Sequence, residues 1–192
     1  MLDVLPIPLT AFEEYLLLDD RPGYRMTFLV EQSFDGEIDR VAFDAGVAEA
    51  LRRHPLLNAV VQHRRFRGWR WMSAGDIRPQ IDWASMEQPL VYSNEMGIDL
   101  TRERGVRFFV RTGSGRSRLV TQFHHSCCDG MGAIQYLSDL FAAYTRKLDP
   151  NAAKHPAYQP AEALHLLRRG HLKVHQDDTM SRFRLFRRLL SY

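Results

Sequence analysis

Apolar residues at Ile38, Val41, Ala45, Ala48 and Leu51 recur at intervals of three and four. This period predicts an amphipathic helix over Ile38 to Arg53, stopped by Pro55. The same period in Ile134, Leu137, Phe141, Tyr144 and Leu148 predicts a helix over Met131 to Leu148, ended by Asp149-Pro150-Asn151. Elsewhere the pattern shifts to short runs rich in aromatic and β-branched residues, which read as strands. Tyr24 to Phe34 is one such run. Leu56 to Arg65 and Trp69 to Ser73 form a predicted hairpin around Phe66-Arg67-Gly68, and Pro79 to Trp83 a short strand. Val106 to Arg111 and Ser117 to His125 form a second predicted hairpin across Thr112-Gly113-Ser114-Gly115-Arg116. At the start, Val4 to Leu9 reads as an edge strand or lead-in with two prolines. Thr10 then caps a short helix, Ala11 to Leu18, broken by Asp19-Asp20-Arg21-Pro22-Gly23. Residues 84–104 are polar and irregular and receive no element. Past Asn151, Glu162 to Arg169 reads as a short helix and Ser181 to Leu190 as a basic amphipathic one. Antiparallel hairpins dominate and helices are few. The expected fold class is therefore α+β, a two-layer sandwich with a mostly antiparallel or mixed sheet and helices on one face, rather than a doubly wound parallel sheet.

Composition narrows this little. The 192 residues are 45% hydrophobic and 26% charged, which suits one folded domain and argues against wholesale disorder. A net charge of +3, much of it in the tail, is too mild to point to nucleic acid. Cys127 and Cys128 are adjacent, a poor arrangement for a structural disulfide, so a reducing, cytoplasmic compartment is expected. The opening residues carry Asp3 and no long apolar core, so no signal peptide is expected there, and no run reaches the ~18 apolar residues of a membrane span.

The chemistry concentrates in Leu119 to Gly132, a predicted strand, tight loop and helix start. Neighbouring residues on a strand point to opposite faces, so His124 and His125 are expected to do different jobs, one facing a cleft and the other turned inward. An imidazole is suited to take a proton from a hydroxyl, amine or thiol, and a helix N-terminus nearby disfavours its charged form. Asp129 is placed to cap the helix or to hold an arginine, and Gly130 to permit a tight turn or a close backbone approach. Three other readings belong beside this one. His124, His125, Cys127 and Cys128 lack the spacing of paired zinc ligands, so no metal is expected. The two cysteines are expected to fill the loop. Trp69, Trp71 and Trp83 are expected in the core or hairpins rather than on a ligand platform.

His124-His125-Ser126-Cys127-Cys128-Asp129-Gly130 resembles the His-His-x-x-x-Asp-Gly motif of condensation domains, chloramphenicol acetyltransferases and related acyltransferases. Arg53-His54-Pro55-Leu56-Leu57 is similar to the Arg-His-Pro-x-Leu segment after the first long helix in these proteins, and Pro8 to Glu14 to their strand-to-helix opening. The resemblance covers roughly residues 4–148. It implies the N-terminal half of a coenzyme-A-dependent acyltransferase fold, with His125 as general base. His124, Asp129 and Gly130 would be motif residues, and Asp129 would pair with an arginine. Asn58 stands about where condensation domains often carry an arginine, which leaves that partner unassigned. No tightly bound cofactor is implied; the donor would be an acyl-CoA or a carrier-protein phosphopantetheinyl thioester, and the acceptor a small hydroxyl or amine. Such enzymes are about twice this length. Residues 1–150 would then form the acyltransferase-like domain, and 151–192 a crossover towards a second half, supplied by another segment or by self-association. A non-catalytic module that binds a carrier protein or scaffolds an assembly is the alternative. His124 and Asp129 also fit the His-x-x-x-x-Asp pattern of glycerolipid acyltransferases, whose other motifs are missing. The helix at Ser181 to Leu190 is expected to pack on a neighbouring domain rather than lie on a membrane.

Overall fold

The computed structural model describes residues 4–91, 96–151 and 163–170. The predicted helix over Ser181 to Leu190 lies outside these residues. Elements follow in the order β1 (Ile7–Pro8), α1 (Ala11–Asp19), β2 (Thr27–Asp35), α2 (Arg40–Arg53), β3 (Ala59–Arg64), β4 (Gly68–Ser73), β5 (Gln80–Ser85), β6 (Val106–Gly113), β7 (Arg116–His124), α3 (Gly130–Leu148) and α4 (Ala163–Arg168). They build a four-stranded sheet ordered β2-β7-β6-β5 and a three-stranded sheet ordered β1-β4-β3. All pairings are antiparallel except β5 with β6, so the larger sheet is mixed, as expected for this α+β arrangement.

α2 and α3 cover one face of the larger sheet. Phe43 of α2 meets Phe108 of β6 edge-on at 5.8 Å, and Tyr136 of α3 meets Phe123 of β7 at 5.9 Å. Both helices form where the period placed them, but both are rotated. α2 buries Ala42, Phe43, Gly46, Val47, Ala50 and Leu51, while Val41 is 79% exposed and Ala48 is exposed too. α3 buries Ala133, Tyr136, Leu137, Leu140 and Ala143, leaving Ile134 and Leu148 exposed and Phe141 and Tyr144 half-buried. The cause is the contact between the helices. A Cβ on Gly46 would stand 3.2 Å from the Leu140 carbonyl oxygen and from the Tyr144 nitrogen. Small residues thus let the two backbones approach, and that choice of face overrides the larger apolar side chains.

The opposite face of the sheet is covered by part of the segment to which no element was assigned. Gln122 Nε2 donates to the Met96 carbonyl at 2.6 Å, Arg107 Nη2 to that of Gly97 at 3.4 Å, and Arg111 Nε to that of Gln88 at 3.2 Å. Ile98 and Leu100 are buried there, and the Leu100 carbonyl accepts the Val61 N–H at 2.8 Å, tying the smaller sheet to this cover. A segment held through its carbonyls needs no side-chain period of its own, which is why the pattern was silent. Trp71 is fully buried, and Trp69 and Trp83 pack half-buried against the core.

Candidate active site

β7 lies between β2 and β6 and delivers the histidine pair at its end. The His124 N–H donates to the Gly105 carbonyl at 3.0 Å, just ahead of β6, and the His125 N–H to the Met26 carbonyl at 2.8 Å, just ahead of β2. Bonds to opposite neighbours hold the backbone extended, so the two rings leave it on opposite faces. His124 is 1% exposed, whereas His125 is exposed. One face of the His125 ring rests on Phe28, centroid to centroid 4.5 Å. Phe28 in turn stacks on Phe123 at 5.4 Å. The imidazole is thereby aimed without being enclosed.

His124 is locked. Its Nδ1 accepts the Ser126 N–H at 3.1 Å, which puts the ring proton on Nε2, 3.7 Å from Asp20 Oδ2. Burial pushes its pKa down to about 4, outweighing the attraction of Asp20, so at neutral pH this contact is a dipole beside a carboxylate and not an ion pair. Asp20 acts twice. Its Oδ1 accepts the Met26 N–H at 2.9 Å, so the residue that holds the His125 backbone is itself held by the carboxylate facing His124. Arg25 Nη1 stands 3.6 Å from the same Asp20 oxygen that faces His124, Oδ2.

The loop that follows is anchored to α1. Ser126 Oγ donates to the Glu13 carbonyl at 3.1 Å, and the Cys127 N–H to that of His124 at 2.9 Å. Glu13 is itself a hub. Its carboxylate accepts from the Thr10 N–H at 2.8 Å, from Trp71 Nε1 at 3.0 Å and from Arg169 Nε at 2.6 Å. α4 is therefore tied to α1. Burial raises the Cys127 thiol well above its usual range and pushes Cys128 up to about 12, so both stay protonated and fill the loop as small apolar residues.

Asp129 caps α3, accepting the Gly132 N–H at 2.8 Å. The Arg53-His54 segment serves a different acid: Arg53 Nη1 lies 2.8 Å from one oxygen of Asp139 and His54 Nε2 2.9 Å from the other, and burial lowers the His54 pKa. Gly130 opens α3, and a Cβ there would meet no described residue within 4 Å. The close approach is at Gly105, where a Cβ would overlap Cys127 Sγ. Asp20, Gly105, Asp139 and the Glu13 hub escaped the sequence reading; only Glu13 had a signal, as the third residue after the Thr10 cap. Among the described residues no three side chains of the metal-ligating types come together.

At the level of sequence, no protein-family model and no curated protein matches the chain. Solved structures do match its fold. The starter condensation domain of rhizomide synthetase RzmA superposes with a TM-score of 0.68 at 13% identity, over 85% of this chain and 43% of that one. The fold is condensation-domain-like. The X-domain from teicoplanin biosynthesis matches this fold at a TM-score of 0.64 and 20% identity, over 91% of this chain and 41% of that one. The SgcC5 protein from Streptomyces globisporus matches it at 0.62 and 17%, over 84% and 41% of the two chains. The chain thus spans about two fifths of the condensation-domain-like structures it resembles. The RzmA domain has been solved, as a variant, in complex with C8-CoA, and the X-domain in complex with OxyB.

Proposed function

We propose that this chain is the histidine-bearing half of a condensation-like acyltransferase, acting on an acyl thioester of coenzyme A or of a carrier-protein pantetheinyl arm. The observation that carries this reading is the exposed His125 ring beside a buried, neutral His124. His125 takes the proton of an acceptor hydroxyl or amine as its lone pair attacks the thioester carbonyl. The carbon–sulfur bond then breaks, and the imidazolium returns the proton to the thiolate, leaving an ester or amide and a free thiol. The C8-CoA complex of the rhizomide synthetase domain supports a CoA-type donor. A second half, from another segment or a second copy, closes the surface around His125. Residues 1–150 are the acyltransferase-like domain in this proposal and 151–192 the crossover, with α4 folded back on α1. Among the described residues no helix is long and apolar enough to cross a membrane, and the two free cysteines support a cytoplasmic setting.

His125→Ala in the full-length protein tests the base. Turnover of acyl thioesters falls by about two to four orders of magnitude if His125 moves the proton. Unchanged turnover rejects the role. A second reading, a module that binds a carrier protein or scaffolds an assembly without catalysis, is kept because the X-domain has been solved bound to a partner protein, OxyB. Absence of turnover in both forms, together with carrier-protein binding that His125→Ala does not alter, favours that reading.

A further inference from the structure

A cleft of about 790 Å³, the right size for a small organic ligand, lies between α2 and the β4–β5 connection, away from the histidines. One wall is an outward row of α2, Arg40, Asp44, Ala48 and Arg52, at spacings of four. The other wall is the connection, with Asp76 and Arg78, and the apolar part of the lining includes Leu51, Ile81 and Trp83. The connection is fixed by Arg104, which donates from Nε to the Ile77 carbonyl at 2.5 Å, from Nη1 to that of Asn58 at 3.2 Å and from Nη2 to that of Gly75 at 3.3 Å.

Three features give this cleft a preference. Arg104 is half-buried, and burial lowers its pKa; it donates to three carbonyls, and among the described residues no carboxylate pairs with it. Arg52 and Arg78 are exposed and neither is engaged by another described residue. Arg40 lies over the Trp83 ring at 5.5 Å, a guanidinium on an aromatic face, on which a further flat ring can stack. Four arginines against two aspartates leave the lining at +2, which a phosphate monoester of charge about −2 would balance.

We propose that this cleft binds a small aromatic phosphate of the kind a nucleotide presents, with its phosphate between Arg52, Arg78 and Arg104 and its ring directed along the cleft towards Arg40 and Trp83. Two sources offer that chemistry, a free nucleotide and the nucleotide end of a coenzyme A ester. The test is calorimetric titration of the full chain with adenosine 3′,5′-bisphosphate, coenzyme A, ATP, pantetheine and inorganic phosphate. It needs no turnover, so its outcome is separate from the role of His125. The bisphosphate is expected to bind, inorganic phosphate to bind at least about tenfold more weakly, and pantetheine not at all. Arg52→Ala and Arg78→Ala should each weaken the bisphosphate about tenfold, while Arg52→Lys keeps most of the affinity and all three variants keep the wild-type melting temperature. Tighter binding of coenzyme A than of ATP assigns the site to the ester's nucleotide end; equal binding assigns it to free nucleotides. No bisphosphate binding at millimolar concentration, phosphate binding as tightly as the bisphosphate, or arginine variants that bind like the wild type would each overturn the proposal.

Discussion

His124 makes the acid sensitivity of this fold calculable. Its ring is 1% exposed and its pKa is held at about 4, against an ordinary value of 6.5. A depressed histidine favours the folded state where the group is neutral. The unfolded chain takes up the proton first as pH falls, so stability is full above pH 6.5, declines from there to about pH 4, and is constant below. The whole loss is on the order of 3 kcal/mol, of which about 2 kcal/mol is already gone at pH 5. His124→Asn isolates this effect. An asparagine Oδ1 can still accept the Ser126 N–H that Nδ1 accepts, but it does not titrate. The smaller side chain costs about 1–2 kcal/mol at pH 7 through lost packing. Urea denaturation at pH 7 and pH 5 should therefore find the variant clearly weaker at pH 7 and about equal to the wild type at pH 5. His54, also lowered by burial, adds a slope of the same sign to both proteins and cancels in the comparison. If the gap between the two proteins is the same at both pH values, His124 is not the buried neutral group described.

Two further substitutions probe the frame around the histidines. Gly105→Ala would push a methyl group into Cys127 Sγ, costing about 2 kcal/mol in thermal unfolding, and Cys127→Ala in the same chain should recover part of it; additive effects would show that the two positions do not touch. Glu13→Ala removes the acceptor shared by Thr10, Trp71 and Arg169, leaving a buried indole N–H and a half-buried guanidinium without it, for about 3 kcal/mol and faster proteolysis near α4; a loss below about 1 kcal/mol would mean that the ion pair is not formed.

What the sequence disclosed and what it withheld follow one physical line. Alternation along a strand is a local rule, so the divergence of His124 and His125 was readable from two adjacent letters. Helix existence is likewise local, and both long helices stand where the period put them. Which side of a helix is buried depends on the neighbour. Gly46 carries almost no hydrophobic weight, yet it sits at the helix crossing, while Val41 and Ile134 carry much and face outward. The least legible parts are those held by backbone groups. The segment ahead of β6 is fixed by Arg107, Arg111 and Gln122 through its carbonyls and by the Glu103 carboxylate on Arg107, and its two buried apolar residues, Ile98 and Leu100, are too few to set a period.

Asp20 is the extreme case. It lies in a breaker cluster beside Asp19, and only the fold tells the two apart, because Asp20 alone meets both Met26 and His124. The division of labour that results has a physical logic. In the proposed function, the base needs an imidazole open to water or substrate. Rigid placement needs burial, and the desolvation that comes with it drives a histidine's pKa down. One residue cannot satisfy both demands. A pair on opposite faces of one strand end can, with His124 taking the burial and the fixed tautomer and His125 keeping the exposure, its backbone held by a clamp that its ring does not touch.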